Sequence, residues 1–349
     1  MRILIDARSA RTATGRHVLQ GLAAAWQRDA RVSAVMVGAQ ADADLTALMP
    51  EVERLPLTAG SWLSHVVTDL PRLADRVRAD VIFCPNGVGP ADPRTVLYFQ
   101  DMFQFRVRGV ANVHLEWLRC KLRDAWRRVS APRSKLAVGV SREIAGEVAR
   151  RLPLPVVTIP NGVEVGDMRW TGEDDQVFVL GGTGRRKDEE TAVRAWSTLP
   201  RDVVASTTLV VGGVEPAPRR DALRRLADSL GAGRAVRITG AMPREAYLEL
   251  IARSRLAVSC SWLEAFDLPV AEALAIGAPV LCTDIAAHRE LVERAGAGAT
   301  FEPRRPEALA EQLARALCGQ PPARLTCVPD GWSWAARARE HIDAYLAHN

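Results

Sequence analysis

Glu264 and Glu272 are separated by seven residues and stand on either side of Pro269. An apolar run, Leu256–Val258, precedes them, and Gly277 closes the helical pattern that carries Glu272. This order predicts a strand, a loop and a helix with Pro in its first turn and Gly just past its end. In an open α/β sheet, the loop at the carboxyl end of a strand and the adjoining helix amino terminus bind anions and nucleotides.

The two carboxylates suit the two ends of a bound nucleotide sugar. Glu272, early in the helix, is placed to accept hydrogen bonds from a ribose diol. Glu264, at the strand end, can reach the group that is bonded to the diphosphate. The alternative is that both only complement the positive end of the helix dipole. The spacing alone leaves these two interpretations open.

The segment Gly181–Glu190 reads GGTGRRKDEE and follows another apolar run. Its glycines let the backbone approach a ligand closely, and its three consecutive cations supply positive charge at a strand end. A departing nucleoside diphosphate develops negative charge, which such cations would stabilise. The alternative is a turn with a solvated basic tip. No DxD-like acidic pair stands in a suitable position for a metal, so we expect no metal, and Lys187 with the arginines could substitute for one.

Short apolar runs alternate with helical patterns along the whole chain, which predicts mostly parallel sheets in an α/β fold. The first run, Ile3–Ile5, leads through a Gly-containing loop at Thr12–His17 into a helix at Val18–Trp26. Polar stretches at 160–164 and Gly166–Asp175 read as a linker between domains. The other predicted strands are Ser33–Val37, Val81–Cys84, Val96–Phe99, Ala137–Val140, Val156–Ile159, Val177–Leu180, Leu209–Val211, Ala235–Ile238 and Pro279–Cys282.

Length and composition favour a two-domain protein of the cytoplasm. The chain has 349 residues, a formal net charge of +5 and six scattered cysteines without a CxxC pair. Scattered cysteines argue against a zinc site and a disulfide framework. No window approaches the roughly 18 apolar residues of a membrane-spanning helix. No nucleic-acid-binding pattern accompanies the basic charge, so phosphorylated small molecules and anionic lipid are the better partners.

Asn112–Val129 has the pattern of a basic amphipathic helix. Apolar residues recur at steps of three and four, and basic residues fill the remaining positions up to Lys135. The helix could pack on its own domain with a solvated basic face, and that face, Arg119–Lys135, could contact anionic lipid at the inner face of the cytoplasmic membrane. The predicted apolar stripe comprises Leu115, Leu118, Leu122, Trp126 and Val129.

SWLEAFDLPVAEALAIGAPVLCTD resembles the donor-binding signature of the family-four retaining glycosyltransferases, with Glu264 and Glu272 as its E-x7-E pair. TGRH at Thr14–His17, VGVSREIA at Val138–Ala145, IPNGVE, RRKDEETAVRAW and LVVGG are similar to further segments of that family in the same order. The resemblance implies a GT-B fold, in which two Rossmann-like domains face each other across a cleft. It implies an acceptor domain at 1–165, a nucleotide-sugar domain at 166–330, and a last helix at 331–349 that crosses back to the first domain.

The resemblance also implies the roles of individual residues. Glu272 would bind the ribose, Glu264 the sugar, and Arg186 and Lys187 the diphosphate. The catalytic set would be Glu264, Lys187, Arg186, Gln100 and Asp101. The nucleotide-sugar set would be Glu272, Gly15, Arg185, Gly182, Ala265, Phe266, Asp267, Leu268 and Gly240, the last in a stretch that contacts the base.

Three positions depart from the family pattern. Gln100, before Asp101, stands where many members have His, and Gln can donate a hydrogen bond but cannot carry a proton. In many family members an arginine follows the first glycine of this segment, but here that position is Gly182. Arg185 or Arg186 would then take the role of that arginine. Asp267 replaces a common Gly, where it could cap the helix or bond a sugar hydroxyl and would disfavour a phosphate placed very close.

The resemblance implies transfer of a hexosyl unit, of mannose or glucose type, from a UDP- or GDP-linked sugar with retention of configuration and without a metal or other cofactor. The acceptor would be a saccharide in surface polysaccharide, lipopolysaccharide or lipid-linked oligosaccharide assembly, and a soluble small-molecule acceptor is the alternative. Two other classes remain open: a nucleotide-sugar epimerase with the same fold, and an inactive donor-binding protein, which Gln100 alone suggests.

Overall fold

The computed structural model describes residues 1–9, 13–39, 52–57, 61–100 and 114–348. The chain divides into two compact units, each built around one parallel sheet. The first unit comprises Met1–Gly162 and Asp330–Asn349, and the second comprises Val163–Pro329. The second unit is therefore one continuous stretch, whereas the first is assembled from both ends of the chain.

The sheet of the first unit has the strand order β3-β2-β1-β4-β5-β6-β7, and all of its pairings are parallel. The order reverses between β1 and β4, and ligands of open α/β sheets bind outside the carboxyl ends of strands at such a switch point. The strands are β1 Arg2–Asp6, β2 Ala34–Ala39, β3 Glu53–Pro56, β4 Val81–Cys84, β5 Thr95–Phe99, β6 Leu136–Gly139 and β7 Val156–Thr158.

Helices of the first unit connect these strands, as parallel pairing requires. The α-helices are α1 Ala13–Gln27, α2 Trp62–Ser64, α3 Leu70–Arg76, α4 His114–Ser130, α5 Arg142–Arg151 and, from the end of the chain, α13 Trp334–Ala347, with a π-helical turn at His65–Asp69. Ser141 and Ser333 cap α5 and α13, since each side chain accepts a hydrogen bond from a backbone amide three residues on.

The sheet of the second unit has the order β10-β9-β8-β11-β12-β13, again entirely parallel. Its switch point lies between β8 and β11. The strands are β8 Asp174–Val179, β9 Thr208–Val211, β10 Val236–Ile238, β11 Ser254–Ser259, β12 Val280–Thr283 and β13 Ala299–Phe301. The helices are α6 Glu189–Ser197, α7 Arg201–Ser206, α8 Ala217–Ser229, α9 Arg244–Arg253, α10 Leu268–Ile276, α11 Ala286–Ala295 and α12 Pro306–Leu317.

The predicted α/β class and its parallel sheets are confirmed, and most predicted strands fall within two residues of the observed ones. Two short edge strands were not predicted, because β3 contains Pro and is half exposed, and β13 has only three residues. The linker prediction is wrong for Gly166–Asp175. Within the second unit, Trp170 donates its backbone amide to Ile276 and its indole N–H to the carbonyl of Ser254.

The last helix, α13, supplies core to the first unit. Trp334 lies against two glycines, Gly21 and Gly162, where an added Cβ would come within 2.4 Å of its ring. Ile342 and Tyr345 are fully buried, and Tyr345 lies 6.4 Å from Trp26, centroid to centroid. Only a residue without a side chain fits at the two glycine positions.

In the described part of the chain, no helix is both long enough and apolar enough to cross a membrane.

Candidate functional site

The loops that follow β8 and β11 meet at the switch point of the second sheet. Helix α10 begins there at Leu268, with Pro269 in its first turn, and ends at Gly277, whose φ of 85° is the left-handed conformation that glycine tolerates. Apart from Pro269, every residue of α10 is buried, which explains why Glu272 is its only charged residue. The predicted strand–loop–helix unit is therefore present.

Glu264 forms the centre of a charged cluster in these loops. Its Oε1 atom accepts a hydrogen bond from Arg186 at 3.0 Å and lies 2.9 Å from the Lys187 ammonium. Ser261 donates to the same oxygen at 2.8 Å. Arg186 and Lys187 belong to a single 3-10 turn, and the amide of Trp262 fixes that turn by donating to the Arg186 carbonyl at 3.0 Å. The structure thus brings Glu264 together with two adjacent cations that lie 77 and 78 positions before it in the sequence.

Asp267 holds the Lys187 side of this cluster. Its Oδ1 lies 3.1 Å from the Lys187 nitrogen, and its Oδ2 accepts from Ser259 at 3.0 Å and faces the His288 Nε2 at 3.0 Å. The other ring nitrogen of His288 lies 2.9 Å from the Thr283 carbonyl oxygen. Both nitrogens of this ring therefore face oxygen atoms, which fixes the orientation of the ring beside Asp267.

The charges of this buried group stabilise each other. Burial acts to raise the pKa of Asp267, but Lys187 and His288 outweigh it and hold the pKa well below its ordinary value. Burial acts to lower the pKa of Lys187, but Asp267 and Glu264 together raise it above its ordinary value. Lys187 is therefore a fixed cation, because its two carboxylate partners favour the charged form.

One prediction for Asp267 is wrong. The residue precedes α10 with a φ of 60°, but its side chain does not cap the helix. Its carboxylate has no exposed surface and is bonded to Lys187, Ser259 and His288, and its contact with a sugar hydroxyl stays a prediction. Its role in this structure is to position Lys187.

Glu272 is paired with a residue that the sequence did not single out. Arg244, at the first position of α9, donates to the Glu272 Oε1 at 2.5 Å and to the Glu164 carbonyl at 2.9 Å. Burial raises the pKa of Glu272, and Arg244 offsets this only in part. A cation at a helix amino terminus opposes the helix dipole. That unfavourable position, directly after Pro243, was the signal in the sequence that Arg244 has a specific partner.

Gly181, in the segment after β8, is required by close backbone packing. A Cβ on Gly181 would lie 2.3 Å from the Gly212 carbonyl oxygen. The amide of Gly182 donates to Glu189 at 3.1 Å, so the predicted contact of Gly182 with a ligand would be made by other backbone atoms. The carbonyl of Gly182 accepts from Arg219 at 2.9 Å, and Arg219 also pairs with Glu189.

Arg219 is a second basic residue that the sequence analysis missed, because it lies 37 positions further on, in α8. Arg185 has an exposed side chain, whereas Arg186 reaches the charged cluster. Of the two arginines that could replace the one absent at position 182, Arg186 therefore has the better geometry.

The start of α10 offers backbone donors. Ala265, Phe266 and Leu268 are buried, and their amides donate to no other described residue. The first amides of an α-helix have no partner within the helix, and they carry the positive end of its dipole. Beyond β10, Gly240 lies beside an ion pair between Glu215 and Arg220, and the neighbouring amide of Ala241 donates to Glu215 at 3.1 Å.

Tyr247 has a buried hydroxyl without a hydrogen-bond partner among the described residues. The ring packs edge-to-face on Phe178 at 5.1 Å and lies next to Gly213. Burial, together with the nearby carboxylates of Asp267 and Glu272, raises the pKa of this hydroxyl well above its ordinary value. It therefore stays protonated, as an unused donor beside the charged cluster.

In the first unit, the predicted site residues are only partly described. Gln100 follows β5 and donates to the Pro85 carbonyl at 3.3 Å, and Asp101 lies outside the described residues. Gly15 lies in the first turn of α1, which begins at Ala13, so the prediction of a loop at Thr12–His17 is wrong for residues 13–17, and Thr12 lies outside the described residues. An acid–base pair not predicted from the sequence, His65 and Asp6, lies at 3.1 Å, but both side chains are buried inside this unit.

Helix α4 differs from its prediction in which residues it exposes. Leu122 and Val129, assigned to the packed stripe, are 54% and 51% exposed, and Arg127, assigned to the solvated face, is buried. Arg127 donates to the Gly87 carbonyl at 2.8 Å, and Trp126 donates to a neighbouring carbonyl. The exposed face of α4 therefore combines aliphatic and basic side chains.

Among the described residues, no group of three or more His, Cys, Asp or Glu side chains could hold a metal ion. Positive charge at the switch point comes instead from Arg186, Lys187 and Arg219.

Comparison with known proteins agrees with this geometry. Residues 167–328, nearly the whole second unit, match the family described as glycosyl transferases group 1. These residues therefore resemble that family, in agreement with the resemblance predicted from the E-x7-E segment.

A particular relative is the lipopolysaccharide glucosyltransferase WaaG of Escherichia coli (strain K12), which is 29% identical over 188 residues. That match covers 53% of this chain and 47% of the relative, so the chain matches about half of the relative's length.

Solved structures resemble the chain over its full length. HepE from Anabaena in complex with UDP-glucose has a TM-score of 0.68 at 15% identity, covering 100% of this chain and 97% of that one. Sucrose-phosphate synthase from Thermosynechococcus elongatus has a TM-score of 0.69 at 15% identity, covering 99% and 94%. At these identities the likeness establishes the fold alone, and the fold is the GT-B fold expected from the sequence.

Proposed function

We propose that the protein is a retaining glycosyltransferase that transfers a hexosyl unit from a nucleotide sugar to a saccharide hydroxyl. The observation that carries the proposal is the cluster of Glu264, Arg186 and Lys187 at the switch point of the second sheet, inside the segment that matches the glycosyl transferases group 1 family. Cations, free helix amides and a carboxylate converge there, as a diphosphate bonded to a sugar requires.

The donor proposed first is UDP-glucose. The solved structure of HepE holds UDP-glucose, and WaaG is named a glucosyltransferase. In this assignment the ribose diol bonds Glu272, and the diphosphate lies against the first amides of α10 with Arg186 and Lys187. The hydroxyl of Tyr247 supplies a further hydrogen bond. Glu264, which has one oxygen on both cations, orients them and faces the sugar.

In the proposed reaction, the bond between the anomeric carbon and the β-phosphate oxygen breaks, and the leaving diphosphate takes the electron pair. The acceptor oxygen bonds to the anomeric carbon on the same face of the sugar. The acceptor proton passes to the departing phosphate oxygen, so the products are a glycoside and a nucleoside diphosphate. Lys187 and Arg186 stabilise the charge that develops on that diphosphate. This stabilisation is the reason that the proposal includes no metal.

A purified-protein assay tests the donor and the cluster together. Release of nucleoside diphosphate is measured with UDP-, GDP- and dTDP-sugars in the presence of saccharide acceptors, and the product is checked for retention by NMR. We expect Lys187→Ala and Arg186→Ala to lower kcat by about 100-fold or more. The matched control is Arg185→Ala, an exposed neighbour in the same turn. If Lys187→Ala and Arg186→Ala are as active as the control Arg185→Ala, the catalytic site does not lie at this cluster.

The same assay separates the other two classes. An epimerase would convert a nucleotide sugar without an acceptor, and it needs an acid–base group open to the substrate. The His65–Asp6 pair is buried inside the first unit, so no observation favours that class. An inactive donor-binding protein would bind nucleotide sugar without releasing product. Neither outcome is expected.

We further propose that the acceptor is lipid-linked and that α4 contacts an anionic membrane surface. Leu122 and Val129 are seven residues apart on one helix face and exposed, and Lys121, Arg123 and Arg128 are exposed around them. Exposed aliphatic residues flanked by basic residues are typical of helices that lie in a bilayer interface.

Sedimentation with vesicles of phosphatidylglycerol and phosphatidylcholine tests the membrane contact. We expect the double variant Leu122→Ser, Val129→Ser to lower vesicle binding severalfold. The double variant Arg123→Gln, Arg128→Gln should do the same at low salt, but it should bind like the wild type at high salt, where the charges are screened. Leu346→Ser is the matched control, since Leu346 is 48% exposed in α13. Binding that is absent, or equal in all variants, would favour a soluble acceptor.

A further inference from the structure

A cavity of about 860 Å³ lies at the opposite edge of the second sheet from the candidate site. Because the strands of this sheet run parallel, the residues that precede β8, β9 and β10 come together at its amino-terminal edge. The cavity is lined by the end of α6, by α7, and by the segment that leads into β10. None of these residues belongs to the cluster around Glu264.

Two buried hydrogen-bonding groups in the cavity lining have no partner. The indole nitrogen of Trp196 and the hydroxyl of Thr207 each lack a hydrogen bond to any described residue, although both side chains are buried. Unpaired buried polar groups are rare in native proteins, and they indicate a bound water, ion or ligand. An indole N–H can only donate, so its partner must be an acceptor.

Two arginines add positive charge to the same lining. Arg201 and Arg234 are exposed, and neither is ion-paired with another described residue. The one carboxylate of the lining, Asp175, is mostly exposed and lies 3.7 Å from Arg255. Aliphatic residues such as Leu199 and hydroxyl residues such as Ser197 form the rest of the wall. The lining therefore combines positive charge with apolar surface, and two of its residues carry buried polar groups without a partner among the described residues.

We propose that this cavity binds a small phosphorylated metabolite, with its phosphate between Arg201 and Arg234 and its organic body against Trp196 and Thr207. The charged end of a phosphomonoester carries acceptor oxygens and no donors, so it matches a lining dominated by donors. Its sugar-sized body fits a cavity of this volume. The site is separate from the proposed donor site.

Helix α6 connects the two sites physically. Its first residue, Glu189, accepts from the Gly182 amide in the segment after β8, and Trp196, its penultimate residue, lines the cavity. The helix between them is about 10 Å long. Occupation of the cavity is therefore expected to change the affinity of the donor site, and bound nucleotide must change the affinity of the cavity by the same factor.

The test uses the full-length chain labelled with ¹⁵N-tryptophan. Its nine tryptophans give indole N–H signals in an NMR spectrum, and the signal that disappears in Trp196→Phe belongs to Trp196. Ribose 5-phosphate is titrated, with ribose as the neutral match. We expect the Trp196 signal to shift and saturate with a Kd of about 1 mM or below, and ribose to have no effect. Arg201→Gln with Arg234→Gln should weaken binding about tenfold, whereas Arg225→Gln, an exposed arginine outside the cavity, should not.

A Trp196 signal that stays fixed up to about 10 mM ribose 5-phosphate would overturn the binding site. So would an equal response to ribose, or an equal Kd in the double variant. The connection through α6 is measured separately, as the Kd for UDP with and without saturating ribose 5-phosphate. An unchanged Kd for UDP would refute that connection. These outcomes do not depend on transferase activity, so they are distinguishable from a failure of the proposed function.

Discussion

Replacing Asp267 with Asn removes one charge from the buried cluster and little else. Asn has the same shape and tolerates the φ of 60° at this position, so the backbone is not newly strained. Lys187, however, loses the partner at 3.1 Å and keeps only Glu264 at 2.9 Å. The substitution therefore separates the charge of Asp267 from its place in the fold.

The expected loss of stability follows from these distances. Two unit charges 3.1 Å apart attract each other by about 5 kcal/mol at an effective dielectric constant of about 20. Glu264 remains beside the ammonium and compensates in part, so the net loss in free energy of unfolding should be about 2–4 kcal/mol. The change should also lower kcat, because Lys187 is less firmly held.

Urea unfolding of the wild type and of Asp267→Asn at pH 7 measures this difference. The control is Asp221→Asn, which removes a half-exposed carboxylate of the same unit paired with Arg224 at 2.9 Å. That change should cost less than about 1 kcal/mol. If Asp267→Asn is no more destabilising than Asp221→Asn, the charge of Asp267 does not hold Lys187 in place.

The pH dependence gives an independent check. Because the pKa of Asp267 is lowered in the folded chain, its contribution to stability is complete above the unfolded pKa of about 4. The difference between wild type and Asp267→Asn should therefore stay constant from about pH 8 to pH 5. It should shrink below about pH 4, where Asp267 of the unfolded wild type takes up a proton.

Three further predictions concern neighbouring positions. Tyr247→Phe removes an unpartnered hydroxyl, so it should raise the KM for nucleotide sugar about five- to tenfold in steady-state kinetics without lowering the Tm. Arg244→Ala leaves Glu272 buried without its cation. It should cost about 1–2 kcal/mol at pH 7 in thermal unfolding, and because the pKa of Glu272 is raised, the loss should diminish as the pH falls towards about 5. Gly181→Ala should destabilise the protein by about 2–3 kcal/mol through a backbone clash, whereas Gly184→Ala, with no neighbour closer than 3.6 Å, should stay within about 0.5 kcal/mol in the same measurement.

Each of these has a contrary result. An unchanged KM in Tyr247→Phe would mean that its hydroxyl only binds water. A pH-independent loss in Arg244→Ala would mean that Glu272 does not change protonation state in that range. Equal Tm values for the two glycine variants would show that the segment after β8 can move away from its neighbour.

The α/β class and most strands could be predicted from the sequence, because parallel strands are short apolar runs with clear boundaries. Helix α10 was predictable from Pro269 and Gly277, which mark its two ends. The edge strands β3 and β13 were not, since an edge strand needs neither length nor continuous apolar character. The start of α1 was misplaced because Gly15 and its polar neighbours favour a loop by local preference alone.

Some side-chain pairings of the candidate site could be predicted from the sequence, and others could not. The pairing of Glu264 with Arg186 and Lys187 follows from the strand order, since both loops leave the sheet at its switch point. The role of Asp267 does not, because nothing in its local sequence indicates His288, 21 positions later, as its partner. Arg219 was missed for the same reason, since it is one arginine among many until the fold shows that it faces Glu189. The position of Arg244 at a helix start indicates a partner, but it does not identify Glu272 as that partner.

The division of the first unit between the two ends of the chain has a consequence for synthesis on the ribosome. The second unit, Val163–Pro329, is continuous and can complete its core as soon as it leaves the exit tunnel. The first unit cannot, because Trp334, Ile342 and Tyr345 are among its most buried side chains and are made after the whole second unit. Residues 1–162 must therefore wait, with part of their apolar surface uncovered, until that helix has been made. A chain truncated before residue 330 would lose only its last helix from the sequence, yet it would leave the first-made half of the protein without a finished core.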